Sequence, residues 1–139
     1  MEALKLELEK LGHEVQIPFL SKEEVKYGSG NKINFEQYIA EHGGIENFPA
    51  EDEIWTVKEN AILDHFEKLE WADRVFIANY EKRGIEGYIG GNTLIEMGVA
   101  FYLKKKICVL NQVSSKLQYR PEIYAMKPEF LNGDLKLLK

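Results

Sequence analysis

An α/β fold built on a parallel sheet is what this sequence predicts, and three observations predict it. Residues 74–78 and 107–110 are two short runs that are apolar at successive positions, as strands covered on both faces are. Helical spacing dominates the stretches around them, so the order alternates helix with strand. Between the two runs lie the ten residues 94–103, in which Glu96 is the only charge.

Taken in order, residues 2–11 place Leu4, Leu8 and Leu11 at helical spacing, and Gly12 stops that helix. Residues 13–18 alternate polar with apolar and predict a short strand near 14–18, ended by Pro18. Residues 21–30 are polar and glycine-bearing, and read as an exposed loop. A short helix over 34–42 is closed by Gly43 and Gly44. A long helix over 52–71 sets Ile54, Val57, Ala61, Ile62, Phe66 and Leu69 near one face. Parallel strands are expected at 74–79 and 106–111, a further helical turn or two over 121–126, and a short strand at 129–131. The length, 139 residues, suits a single domain over 1–139. A domain of this type usually begins with a central strand, whereas here the following helix comes first. Either the first strand is absent from this polypeptide or the sheet is built differently.

Composition narrows the function classes. A net charge of −5 and a pI of about 5.3, without a basic stripe, argue against nucleic acid or an anionic membrane as partner. Cys108 is the only cysteine, so no intramolecular disulfide forms, and its neighbours Ile107, Val109 and Leu110 predict a buried thiol. His13, His42 and His65 lie far apart without metal-ligand spacing, and no metal or redox cofactor is expected. With no signal peptide and no apolar run long enough to span a bilayer, the expectation is a cytoplasmic protein.

The chemistry-bearing pattern is Gly90-Gly91-Asn92-Thr93-Leu94-Ile95-Glu96, continued by Met97-Gly98-Val99-Ala100. The glycines allow close backbone approach, Asn92 can cap the helix, and spare N–H groups at its start can hold a phosphate or a sugar hydroxyl. Glu96, one turn beyond Asn92, faces the same side near the positive end of the helix dipole. In parallel sheets ligands bind beyond the carboxyl ends of the strands, where Asn79-Tyr80, the Gly90-Gly91 turn and Asn111 converge, and Tyr88 is expected to line the pocket. Because the 94–103 helix is apolar nearly all round, it should be buried on more than one side, which predicts a homo-oligomer assembled through it.

Residues 72–110 resemble the nucleoside 2-deoxyribosyltransferase-like family. The resemblance is carried by Ala72-Asp73 before the strand, the small-residue turn, Glu96-Met97-Gly98-Val99-Ala100 and the turn Lys104-Lys105-Lys106. Residues 8–15 are similar to the family's first helix and second strand. The resemblance implies a Rossmann/flavodoxin-like parallel sheet flanked by helices, here without its N-terminal strand, and it implies that Glu96 is a nucleophile attacking the anomeric carbon of a deoxyribose. The chain departs from the family in two places. It has no counterpart to the first strand with its substrate-touching loop. The family's aspartate eight residues before Asp73 is His65 here, with Asp64 beside it. Residues 89–96 are also similar to the Pro-Gly-Gly-x-Gly-Thr-x-x-Glu loop of nucleotide phosphoribohydrolases, without the proline and one residue shorter.

Both relatives cleave N-glycosidic bonds. The expected activity is therefore cleavage or transfer at that bond of a (deoxy)nucleoside or its 5′-monophosphate. Glu96 would be the catalytic residue, and Gly90, Gly91, Asn92, Thr93, Asn79, Tyr88 and Asn111 would contact substrate. The alternatives are a nucleoside monophosphate phosphoribohydrolase, or a non-catalytic nucleotide-binding or structural subunit of the same fold.

Overall fold

The computed structural model describes residues 2–17, 24–27 and 31–138. In chain order the elements are α1 (Glu2–Lys10), β1 (Glu24–Tyr27), β2 (Asn31–Asn34), α2 (Phe35–Glu41), α3 (Ile54–Trp71), β3 (Arg74–Ile77), α4 (Gly91–Tyr102), β4 (Lys106–Val109), α5 (Arg120–Ala125) and β5 (Glu129–Phe130). Short 3-10 turns occur at Ile45–Asn47 and Leu135–Leu137. The chain forms two compact units, one of Met1–Gln16 with Phe66–Lys139 and one of Ile17–His65. Helix α3 belongs to the second as far as His65 and to the first from Phe66 on.

The first unit is built on a three-stranded parallel sheet of order β3-β4-β5, flanked by helices. Arg74 aligns with Lys106 and Ile77 with Val109, so the strands expected at 74–79 and 106–111 are parallel neighbours. Alternation along each strand makes two apolar faces. One presents Ile77, Ile107 and Val109 to Met97 and Ala100 of α4 and Ile123 of α5. The other presents Cys108, with Phe76 beside it, to Leu8 of α1, Leu131 and Leu138. Both faces are covered, which is why these strands read as continuous apolar runs. Because parallel strands need a crossover, α4 leaves the carboxyl end of β3 and returns to the amino end of β4, packing on both.

Two expectations are corrected. Residues 13–17 form no strand, and Pro18 lies outside the described residues. Besides a bond from the His13 N–H to the Leu8 carbonyl at 3.2 Å, side chains hold this segment. The His13 ring Nε2 meets the Leu138 carbonyl at 3.1 Å, and Val15 packs on the cluster around Cys108. Second, within 21–30, expected to be loop, residues 24–27 are strand β1, antiparallel to β2 with Val25 opposite Ile33; residues 21–23 and 28–30 lie outside the described residues. In α4 the fully buried side chains are Met97 and Ala100, with Leu94 packed beside them, while Ile95, Phe101 and Tyr102 are exposed in the single chain, which is as much as one sheet can cover.

In the second unit the apolar cluster is Phe35, Phe48, Ile54 and Val57. Asn34 caps α2, its side-chain oxygen accepting from the Gln37 N–H at 2.9 Å. Gly43 and Gly44 follow that helix with φ of 79° and 122°, a backbone that a side chain would strain. Asp52 opens α3 by accepting from the Ile54 N–H at 2.9 Å, and it also accepts from the Tyr27 hydroxyl at 2.5 Å. The Tyr27 hydrogen bond, then the Ile54 N–H, hold the Asp52 carboxyl below its ordinary value. The same bond to Asp52, with a second from Tyr38, pushes the Tyr27 hydroxyl above the usual tyrosine range.

A carboxyl depressed by folding stabilises the native state above its unfolded value, about 3.9, and loses that contribution as pH falls through the folded value. Asp52→Asn is therefore expected to flatten the acid limb of the pH–stability curve of this unit. Trp55 fluorescence during urea unfolding at a series of pH values between neutral and acid checks it. An unchanged acid limb would contradict the assignment.

Candidate functional site

The site begins where β3 and β4 end. Past β3, Asn79 is 2% exposed and turns its amide onto the protein itself. Its Nδ2 donates to the Gly87 carbonyl at 3.0 Å and to the Asn111 carbonyl at 2.7 Å, while its Oδ1 accepts from the Asn111 N–H at 2.8 Å. Asn111 Nδ2 in turn donates to the Asn79 carbonyl at 3.0 Å. The two asparagines thus continue the β3–β4 pairing beyond the strands, one amide serving each backbone. Two residues expected on the substrate are here a reciprocal bracket, and both Nδ2 donors of Asn79 are spent on it.

Gly87 completes the bracket. Its φ is +64°, and a Cβ there would stand 2.0 Å from the Gln112 carbonyl oxygen and 3.0 Å from Asn79 Nδ2. Only glycine lets the 78–90 segment pass this close to the loop after β4. Within that segment Lys82 and Ile85 bond backbone to backbone across a tight turn at Arg83 and Gly84, which have φ of 55° and 75°.

The segment then delivers Tyr88, Ile89 and Gly90 to the start of α4. Gly90, not Asn92, is the N-cap, and no side chain caps the helix. Asn92 falls at the second helical position and is exposed, which corrects its expected capping role. Gly91 is exposed and Thr93 half-buried. The Tyr88 ring leans toward Gly90, whose added Cβ would meet it at 3.6 Å. Lys82 Nζ stands 5.7 Å from the centre of that ring. The Tyr119 hydroxyl donates to the Ile89 carbonyl, and burial, followed by the nearby Tyr88 hydroxyl, pushes its pKa upward. Glu96 lies one turn inside α4 and is half-buried, on the flank it shares with Asn92.

Gly90, Gly91, Asn92, Thr93, Tyr88 and Glu96 are thus neighbours along one helix start, at the carboxyl end of the sheet. Lys82 and Tyr119 join them, although sequence reasoning does not find either. A signal for Lys82 exists in the Lys82-Arg83-Gly84 turn; Tyr119 comes from a distant loop and carries none. Asp64 and His65 belong to the other unit. Cys108 lies in the sheet, buried, and burial pushes its thiol pKa upward. Among the described residues no group of His, Cys, Asp or Glu could hold a metal ion, and no helix is long and apolar enough to cross a membrane.

No family model matches the chain, and no curated protein or solved structure is significantly similar to it.

Removing the Asn79 amide leaves the Gly87 and Asn111 carbonyls and the Asn111 N–H without that partner. Each unsatisfied buried group costs roughly 1–3 kcal/mol. Asn79→Leu and Gly87→Ala are each expected to destabilise the first unit by more than about 2 kcal/mol. Chemical denaturation followed at Trp71 measures it, and a change below about 0.5 kcal/mol, the range of a neutral surface substitution, would show that the bracket is dispensable.

Proposed function

We propose that this protein cleaves or transfers at the N-glycosidic bond of a (deoxy)nucleoside or its 5′-monophosphate, on a Rossmann-like sheet, with Glu96 as nucleophile. The observation that carries this reading is the start of α4. It lies past the carboxyl end of β3, no side chain caps it, and Glu96 stands one turn in on the same flank as Asn92. The first N–H groups of such a helix, at Gly91, Asn92 and Thr93, are donors for a phosphate or sugar hydroxyl. Lys82 adds a cation on the Tyr88 side, and the Tyr88 ring offers a face for a base or sugar.

In the proposed reaction a Glu96 carboxylate oxygen attacks C1′. The C1′–N bond breaks with its electron pair leaving on the base, and a glycosyl ester forms through an oxocarbenium-like transition state. Water, or the nitrogen of a second base, then attacks C1′ and releases the carboxylate, and the proton it loses passes to the departed base. The alternative is a nucleotide-binding module without catalysis; in either reading Asn79 and Asn111, bonded to each other, brace the loops rather than touch the ligand.

The two readings separate on a panel of deoxynucleosides and monophosphates assayed for free base. Glu96→Gln is expected to keep the fold and ligand binding and to lose at least about 1000-fold in cleavage, since removal of a covalent nucleophile is among the costliest changes an enzyme can suffer. Glu96→Asp should also fail badly, because the shorter side chain withdraws the attacking oxygen. Mass spectrometry after quenching with a 2-fluoro-2-deoxy nucleoside should find the sugar on the peptide containing Glu96. Unchanged turnover in Glu96→Gln would end the nucleophile assignment, and binding without turnover in the unaltered chain would favour the module.

A further inference from the structure

Helix α4 carries a face that its own chain does not use. Opposite the buried Met97 and Ala100, about half a turn round the cylinder, run Gly91, Ile95, Gly98 and Tyr102. All four are exposed, Ile95 at 50% and Tyr102 at 84%, with Phe101 alongside at 53%. The glycines are as informative as the large residues. A Cβ built at Gly91 or Gly98 meets nothing within 4 Å, and neither residue has a positive φ. No steric or backbone reason within the chain calls for glycine there. A mid-helix glycine such as Gly98 weakens a helix relative to alanine.

The spacing supplies a reason outside the chain. Gly91, Ile95, Gly98 and Tyr102 are separated by four, three and four residues, the seam spacing of two helices packed side by side. Along the seam small alternates with large, and the order reads as its own complement when reversed. An antiparallel second copy sets Gly91 against the partner's Tyr102 and Ile95 against the partner's Gly98, and by symmetry the reverse. Each large side chain then enters the gap left by a glycine, at both ends of the helix at once. A parallel copy would instead stack Ile95 on Ile95 and leave the glycines facing each other. We propose that α4 is the contact of an isologous homodimer, with two antiparallel α4 helices crossing on a two-fold axis between Ile95 and Gly98.

Opposed helix dipoles and the absence of any charged residue in the seam favour that pairing. Ile95, Phe101 and Tyr102 together expose on the order of a few hundred Å² of apolar surface, no more than the largest such patch of an ordinary monomer. That area is smaller than the roughly 800 Å² per partner of a standard interface, so the dimer is concentration-dependent rather than obligate. Glu96 lies on a flank about a third of a turn or less from the seam's edge, so dimerisation does not depend on its acting as a nucleophile.

Sedimentation velocity of the full chain from micromolar to millimolar concentration tests it. The unaltered protein is expected to pass from monomer to dimer. Gly98→Leu, which fills the gap, and Tyr102→Ser, which removes the knob, should each weaken association by at least about tenfold. Neither change touches the packed face, and circular dichroism confirms the fold. Mixed Ile95→Cys and Gly98→Cys chains should cross-link to each other in preference to themselves. A monomer throughout the range, or unweakened dimers of both seam variants, would overturn the proposal and leave the face to a different protein. Self-linking of Ile95→Cys in preference to the mixed product would overturn the antiparallel register.

Discussion

The Asn79 amide is the joint on which the carboxyl end of the sheet depends. Regular pairing of β3 with β4 stops just past Ile77 and Val109, and beyond it two loops diverge without a ladder to hold them. A single buried side chain with two donors and an acceptor takes over, binding the Gly87 carbonyl and both backbone groups of Asn111. An aspartate could not substitute, since an ionised carboxylate has no donor to give to those carbonyls. Gly87 lies under the same constraint from the other side, because the close approach that places its carbonyl also excludes any side chain. The next residues of the chain, Tyr88, Gly90 and the start of α4, take their position from that point.

The central strands were legible because both their faces are covered, which leaves a contiguous apolar signature in the sequence. Gly12 and the Gly43-Gly44 pair were legible because their backbones need positive φ. The β1–β2 pair was not, since β2 carries Asn31, Lys32 and Asn34 and looks like loop by composition. The 13–17 segment imitates a strand because two-residue alternation describes one-sided packing of any extended chain, whether or not a neighbour completes the ladder. For the candidate site, the sequence located the helix start and Glu96. It could not tell whether an asparagine at a strand end faces a ligand or the next loop, because that depends on a residue 32 positions away. Tyr119, similarly remote, was invisible for the same reason.

Helix α4 shows that apolar composition can record more than one surface. Its apolar residues are spread round the whole cylinder, yet within the chain only Met97 and Ala100 are fully buried. The remainder divides into a flank bearing Asn92 and Glu96 and an outer face of alternating glycine and bulk. In the proposed reading, one helix thereby serves the sheet, a small molecule and a second chain, the last two meeting at Gly91. Its uniformly apolar composition is the sum of those demands.

On the opposite side of the sheet, Cys108 is sealed by pieces from far apart in the sequence. Leu8 and Leu138 pack over it together, and His13 reaches the Leu138 carbonyl across 125 positions. Closing a chain segment of that length costs about 4 kcal/mol of configurational entropy before any contact repays it. The β3–α4–β4 crossover is far more local, so contact order favours its forming before α1 joins this face. The thiol is then a built-in clock. Its access to an alkylating reagent during refolding dates the arrival of the two segments over it, and in the native state it reports how often that roof lifts.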